Sequence, residues 1–202
     1  MTAGPATTTH LLVVCEADRA RSPVFARLLR REAELRGLGA VVRVYDAGLR
    51  ARPGEPILPS VARAVRPFGL GLETHRSTPL ELPLQDPAEL LLTMTEEQRR
   101  TLVLTQRELL PRTFTVREAV RLLSSRWWDP QWDGTPHVVV QLHRLRPLVR
   151  PARTPEDVPD PAHGGRRLAG AVVDELNRAS ARLAGALWGP APAPGQTSTV
   201  GR

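Results

Sequence analysis

In HLLVVCEADRARSPVFARLLRR (His10–Arg31) three kinds of segment follow one another without a break. Leu11 to Val14 is a short apolar run of the kind that forms a buried strand. At Cys15 it gives way to a polar loop. Ser22-Pro23 then opens an amphipathic helix to about Arg36, Ser being a good cap and Pro being favoured in the first turn. Strand, loop and helix in this order bring successive backbone N–H groups toward one point, where the helix N-terminus adds positive potential. The loop carries one thiol and, six residues later, one guanidinium, Cys15 and Arg21, with Ser22 next. A cationic, N–H-rich loop favours the thiolate, which is the nucleophilic form. The planar fork of Arg matches phosphate oxygens.

Each of these features has an ordinary reading as well. A lone Cys at the end of a strand is often a small buried hydrophobe, and with 28 Arg in 202 residues an Arg six places after any Cys is common. The weight therefore rests on placement between an apolar strand and a Ser-Pro helix start.

The rest of the chain continues the alternation. Gly37 and Gly39 stop the first helix, and Val41–Tyr45 reads as a second strand. ARPGEP (Ala51–Pro56) is a loop, and a short helix runs from Pro59-Ser60 to Arg66. Leu90–Met94 is a third buried strand, with Thr95-x-Glu97 opening the next helix. Arg112–Thr115 is a fourth strand, Val116–Leu123 a helix, Thr135–Leu145 another, and Arg166–Leu187 a long final one. Such β-α alternation predicts a single α/β domain with a parallel sheet, helices on both faces and right-handed crossovers. The domain is placed at 10–187, with an expanded, Trp-containing region at 124–155, a flexible lead at 1–9 and a disordered Pro/Gly-rich tail at 188–202.

Composition narrows the function. All 28 basic residues are Arg, against 21 acidic ones, giving a formal net charge of +7. These arginines are scattered along helices and loops, and aromatics make up only 4% of the chain. Nucleic-acid binding, which uses clustered cations interleaved with stacking rings, is therefore disfavoured. No apolar run is long enough to span a membrane and no secretory signal pattern precedes the first strand, so a cytoplasmic protein without a membrane partner is expected. One Cys excludes an internal disulfide and a four-cysteine zinc site. Neither a metal nor another cofactor is expected, and the oligomeric state stays open.

CEADRARSP in this setting resembles the cysteine loop of the low-molecular-weight protein tyrosine phosphatases, C-x-G-N-x-C-R-S-P. The later motifs agree in order: YDAGL (Tyr45–Leu49) with Ser-Ala-Gly, THRSTPL (Thr74–Leu80) with His-x-Ser/Ala-Arg, AELLLTMTEEQRR (Ala88–Arg100) with Asp-Leu-Ile-x-x-Met, and VPDPAHGG (Val158–Gly165) with the acid loop. The resemblance implies strand order 2-1-3-4 and a cysteine phosphatase acting on phosphotyrosine proteins or small phosphate esters. By it, Cys15 is the nucleophile that becomes phosphocysteine, and Arg21 with the backbone of Glu16, Ala17, Asp18, Arg19, Ala20 and Ser22 binds the phosphoryl group. Ser22 also eases thiolate departure, and Asp160 is the general acid and then the base. Asp18, Ser22, Asp46 and His75 would form a supporting cluster beneath the loop.

Several positions depart from the family pattern. Ala17 and Asp18 stand for Gly and Asn, Ala20 for the second Cys, and Ala162-His163 for an aromatic pair. Ala17 is costly if its position needs positive φ. Two neutral members of the cluster have become Asp18 and Asp46, which should share a proton or pair with a protonated His75. Two further readings stand beside a working phosphatase. One is a phosphate-binding regulatory relative with little turnover. The other, more remote, is an arsenate reductase that borrows an external thiol, since Cys15 alone cannot run an internal thiol relay.

Overall fold

The computed structural model describes residues 8–84, 88–130, 134–152 and 154–191. Four strands, β1 (Thr9–Cys15), β2 (Val42–Gly48), β3 (Leu90–Thr93) and β4 (Thr113–Thr115), form one parallel sheet in the order β2-β1-β3-β4. This is the expected α/β architecture. The central β1 is fully buried from Leu11 to Cys15 because both its edges are paired and both its faces are covered. Leu11, Val13 and Cys15 join Leu90, Leu92 and Phe114 in the larger core. That core is closed by α1 (Arg21–Leu35), α2 (Pro59–Ala64), α4 (Val116–Leu123), α5 (Thr135–Leu145) and α6 (Gly165–Trp188). Leu12, Val14 and Leu91 face the other way, against Leu102 of α3 (Glu96–Thr105), Leu109 and the segment holding Leu80, Leu82 and Leu84.

Several element ends differ from the sequence reading, each for a visible reason. Helix α1 begins at Arg21 with Ala20 before it and no side-chain cap, so Ser22 does not cap the helix. Its hydroxyl is used elsewhere, as described below. Strand β2 runs three residues past Tyr45 because pairing with β1 continues until Cys15 meets Gly48. The helix from Pro59 ends at Ala64, and a 3-10 turn, Arg66–Phe68, carries the chain through Pro67 to Gly69 at φ 62. Thr95 caps α3 in a capping box completed by Gln98. Helix α6 extends through Trp188, which is buried and belongs to the core rather than to the tail. Gly189 just beyond it accepts a 2.8 Å hydrogen bond from Arg36 Nε.

Within the expanded region, Val138, Val139, Leu142 and Leu145 of α5 pack into the main core. Trp128 lies against that core, whereas the exposed Trp127 ring carries the Arg126 guanidinium 4.6 Å from its centroid. Trp132, the first seven residues and positions 192–202 lie outside the described residues. Among the described residues no helix is long and apolar enough to cross a membrane.

The register carries β1 and β2 side by side to Cys15 and Gly48, so the end of β2 lies under the loop that follows β1. A Cβ on Gly48 would meet Asp18 N at 2.7 Å, Ala17 C at 2.8 Å and Glu16 O at 2.8 Å, all of them backbone. Gly48→Ala is therefore expected to push the loop away and to cost about 1–3 kcal/mol, the range for overpacking a well-filled site. A denaturant midpoint unchanged from that of the native chain would show that the loop yields freely.

Candidate active site

Between β1 and α1 the chain turns within Glu16–Ala20. Asp18, at φ 54, is the only non-glycine residue with positive φ among those described. Ala17 escapes the cost expected of it, because the left-handed position falls one residue later on a side chain that tolerates it. Loop carbonyls are held from outside: Glu16 O by Arg50 N at 2.8 Å, Arg19 O by Leu58 N at 2.9 Å. The Asp18 N–H turns inward and donates to Cys15 Sγ at 3.3 Å. Ser22 Oγ lies 2.8 Å from the same sulfur, and Cys15 is buried.

Arg21, only 4% exposed, follows the loop. Its Nη1 donates to Val158 O at 3.0 Å and its Nη2 to Asp160 Oδ2 at 2.5 Å, while the buried Nε has no hydrogen-bond partner. A buried guanidinium N–H left unpaired is costly unless an anion meets it. Asp160 also caps a 3-10 turn, Oδ1 accepting from Ala162 N at 3.0 Å. The acid loop is fixed on both sides of Val158. Val158 N donates to Met94 O at 2.8 Å, Glu96 N donates to Asp157 Oδ1 at 2.8 Å, and Glu156 pairs with Arg121.

Glu16, Arg21, Arg50, Glu97, Asp157 and Asp160 line a cavity of about 490 Å³, whose other described lining residues are apolar or neutral and none of them aromatic. Cys15 is buried behind the loop whose Glu16 and Arg21 form part of this wall. Ala162 and His163, which stand where the resembled loop has its aromatic pair, are exposed. Sequence reasoning did not find Arg50, which pairs with Glu16 at 2.9 Å, nor the Val158 carbonyl. Each depends on a fold contact that no motif records.

Beneath the loop the structure assembles Asp18, Ser22, Asp46 and His75. Ser22 Oγ lies 2.8 Å from Asp18 Oδ1, and Thr78 N donates to Asp18 Oδ2 at 2.9 Å. His75 Nε2 donates to Asp18 O at 2.6 Å, and its Nδ1 is 3.6 Å from Asp46 Oδ2. Arg30 Nη2 meets Asp46 Oδ1 at 2.5 Å, a counter-ion from α1 that the sequence did not reveal. Burial, then the Asp46 charge, pushes the Asp18 carboxyl up to about 6. One ligand-type atom each of Asp18, Asp46 and His75 lie within 4.8 Å of one another, but a guanidinium and two hydrogen bonds already engage the carboxylates, which favours a hydrogen-bonded cluster over a cation site.

The family model for low molecular weight phosphotyrosine protein phosphatase matches residues 10–132. The chain belongs to this family. It is thus a phosphatase, as its relatives are by name. A protein-arginine-phosphatase of Bacillus subtilis (strain 168) is 30% identical over 110 residues, covering 54% of this chain and 71% of that one. A probable low molecular weight protein-tyrosine-phosphatase, EpsP, of Ralstonia solanacearum is 36% identical over 90 residues, covering 45% and 58%. The solved YwlE arginine phosphatase of Geobacillus stearothermophilus superposes with a TM-score of 0.63 at 25% identity, over 87% of this chain and 90% of that one.

The state of Asp18 bears on this phosphatase's stability. In the native protein the carboxyl holds its proton to about 6, against 3.8 unperturbed. Between those values the native state binds more protons than the unfolded one, so this residue's ionisation lowers stability as pH rises through the window and leaves a constant deficit above it. The stability of Asp18→Asn relative to the native chain is expected to rise by up to about 3 kcal/mol between pH 4 and pH 8. Urea unfolding at the two pH values measures it, and a pH-independent difference would refute the buried, proton-holding carboxyl.

Proposed function

We propose that this phosphatase hydrolyses phosphorylated residues in proteins through a phosphocysteine intermediate on Cys15. The observation that supports this best is the junction at Arg21. One guanidinium stands at the loop exit, ties the acid loop through Val158 O and Asp160, and keeps a buried Nε free of protein partners. In the proposed reaction the substrate phosphoryl group takes Arg21 Nε and Nη2 and the loop N–H groups of Glu16 to Ser22. Asp160, displaced from Arg21 by the incoming anion, takes up a proton from solvent and holds it beside the leaving atom.

The Cys15 thiolate attacks phosphorus, the ester P–O bond breaks, and Asp160 gives its proton to the departing oxygen. Asp160, now a carboxylate, takes a proton from water as that water attacks the phosphocysteine. The S–P bond breaks, phosphate leaves, and the thiolate is restored with the help of the Ser22 hydroxyl 2.8 Å away. A regulatory relative that only bound phosphate would have no use for an acid in contact with the binding guanidinium. An arsenate reductase would need a thiol from outside the chain, whose one cysteine is Cys15.

Asp160→Asn is expected to slow alkyl phosphates at least tenfold more than an activated aryl phosphate, whose leaving group needs little protonation. Equal slowing of both substrates would remove Asp160 from the acid role.

Phosphotyrosine is the substrate the family description suggests. A second class, phosphoarginine in proteins, is favoured by the cavity wall. Among the described residues that line it, four carboxylates, Glu16, Glu97, Asp157 and Asp160, face two guanidiniums, and none carries a ring to stack on a phenol. A phosphoryl group carried on a cationic guanidinium suits such a wall, and one relative is named for that activity. Under this reading Glu97→Gln is expected to reduce kcat/KM for a phosphoarginine peptide at least threefold more than for an aryl phosphate. Equal effects, or a larger loss on the aryl phosphate, would favour phosphotyrosine.

A further inference from the structure

We infer that Asp18 serves this site as a neutral carboxylic acid, a positioning residue that donates through the Ser22 hydroxyl to the Cys15 thiolate. The inference rests on the reading of Cys15 as the nucleophile and adds the device that keeps its thiolate usable.

The argument is a count of protons. Ser22 Oγ is 2.8 Å from Cys15 Sγ on one side and 2.8 Å from Asp18 Oδ1 on the other. A hydroxyl has one proton to donate and these are two acceptors whenever both groups are ionised. If the proton points at Asp18, the thiolate loses its hydroxyl partner. If it points at the thiolate, two bare oxygens face each other at 2.8 Å. Placing a proton on Asp18 Oδ1 satisfies both contacts: Oδ1–H donates to Oγ, and Oγ–H donates to Sγ. That state holds the same number of protons as a thiol facing a carboxylate. Proton transfer along the chain Sγ, Oγ, Oδ1 therefore makes the thiolate without releasing a proton from the site.

The neighbours bias the proton toward Asp18. The other oxygen, Oδ2, accepts from Thr78 N at 2.9 Å, leaving Oδ1 as the one to be protonated. His75 Nε2 spends its hydrogen on Asp18 O at 2.6 Å, while the carboxylate is 3.6 Å away. From β2, Asp46 brings a like charge close by, and its counter-ion Arg30 bonds Asp46 rather than Asp18. Arg19 turns to Glu55 and the Pro56 carbonyl, and Arg50 to Glu16. Among the described residues no guanidinium bonds the Asp18 carboxyl, and the ring nitrogen nearest to it is His75 Nε2 at 3.6 Å. Burial and Asp46 accordingly raise its pKa to about 6. Once its proton is lost, charges stand on both sides of Ser22, and a phosphate dianion must bind beside them.

The test compares native protein, Asp18→Asn and Asp46→Asn between pH 5 and pH 9. Alkylation of Cys15, the only cysteine, by iodoacetamide reports thiolate, and kcat/KM for an aryl phosphate reports turnover. The native alkylation profile is expected to show two steps and that of Asp18→Asn one, because an amide donates at every pH. The native fall in kcat/KM from pH 6 to pH 8, about tenfold or more, should shrink to below about threefold in Asp18→Asn. Asp46→Asn removes the like charge that keeps the proton on Asp18, so its fall should begin at lower pH, opposite in sign to the first variant. A single-step native profile matching Asp18→Asn, or both variants moving the same way, overturns the inference. If Asp18→Asn does not fold, the native two-step profile and the direction of the Asp46→Asn shift decide. If no ester is hydrolysed at all, the proposed function fails while alkylation still reports the link from Asp18 to Cys15.

Discussion

A chain that leaves a buried parallel strand and enters a helix within five residues must turn sharply, and here one residue, Asp18, takes the left-handed conformation at φ 54. Much of the site depends on that turn. It sends the Asp18 N–H to the Cys15 sulfur and the side chain under the loop, where no part of it is exposed. It also brings the backbone of Glu16 to Asp18 against Gly48, where only a residue without Cβ fits undisturbed. A carboxylic acid is thereby enclosed beneath a loop shaped for an anion. An uncompensated charge in such a place is expensive, which is why the hydrogen bonds around it matter more than their number suggests.

The arginine-only cationic set takes on a structural meaning in this frame. Arg21 ties the loop to the acid segment, Arg30 bonds both Val44 O and Asp46, and Arg117 grips Glu175 with two nitrogens, at 2.7 and 2.9 Å. Arg146 bonds Glu118 and Thr113 O while its guanidinium lies 4.3 Å from the Phe114 ring centroid. These are forked or stacked contacts that Lys, a point charge on a flexible stem, does not reproduce. Scattered in sequence, the arginines act in the fold as clamps between elements.

The sheet and most helices were legible because strands of Leu and Val and capped helices follow local rules, while the strand order followed from the family resemblance. Val116–Leu123 was read to the residue, and the helix read as capped at Thr135-Pro136 and running to about Leu145 begins at Thr135 itself, with Gly134 before it. The ends that moved were those decided by partners distant in sequence. Strand β2 reached Gly48 only because β1 runs beside it, and Ser22 left the capping role because Cys15 and Asp18 compete for its hydroxyl. Cys15, Arg21 and Asp160 could be named from motifs, and Arg21 and Asp160 do meet, at 2.5 Å. Arg30 could not be named, since it stands on α1 sixteen positions before Asp46 on β2 and no spacing rule joins a helix to the strand beneath it.

Arg30 explains how two neutral positions could both become acids without destroying the loop. Asp46 lies where its carboxylate reaches the guanidinium of Arg30 on one side and His75 on the other. A paired carboxylate that is partly buried is tolerable, and removing either partner leaves a charge that costs more than the pair contributed. Asp18 shares His75 at the same 3.6 Å but otherwise has the contrary surroundings: complete burial, one backbone N–H, one hydroxyl, no guanidinium among the described residues, and a like charge nearby. For such a group holding the proton is the less costly solution. The two substitutions are therefore not equivalent. Asp46 is balanced by a cation on α1, whereas Asp18, its pKa raised to about 6, is balanced below that pH by a proton. The charge beneath Cys15 then varies with pH in a way that an asparagine at the same position would not allow.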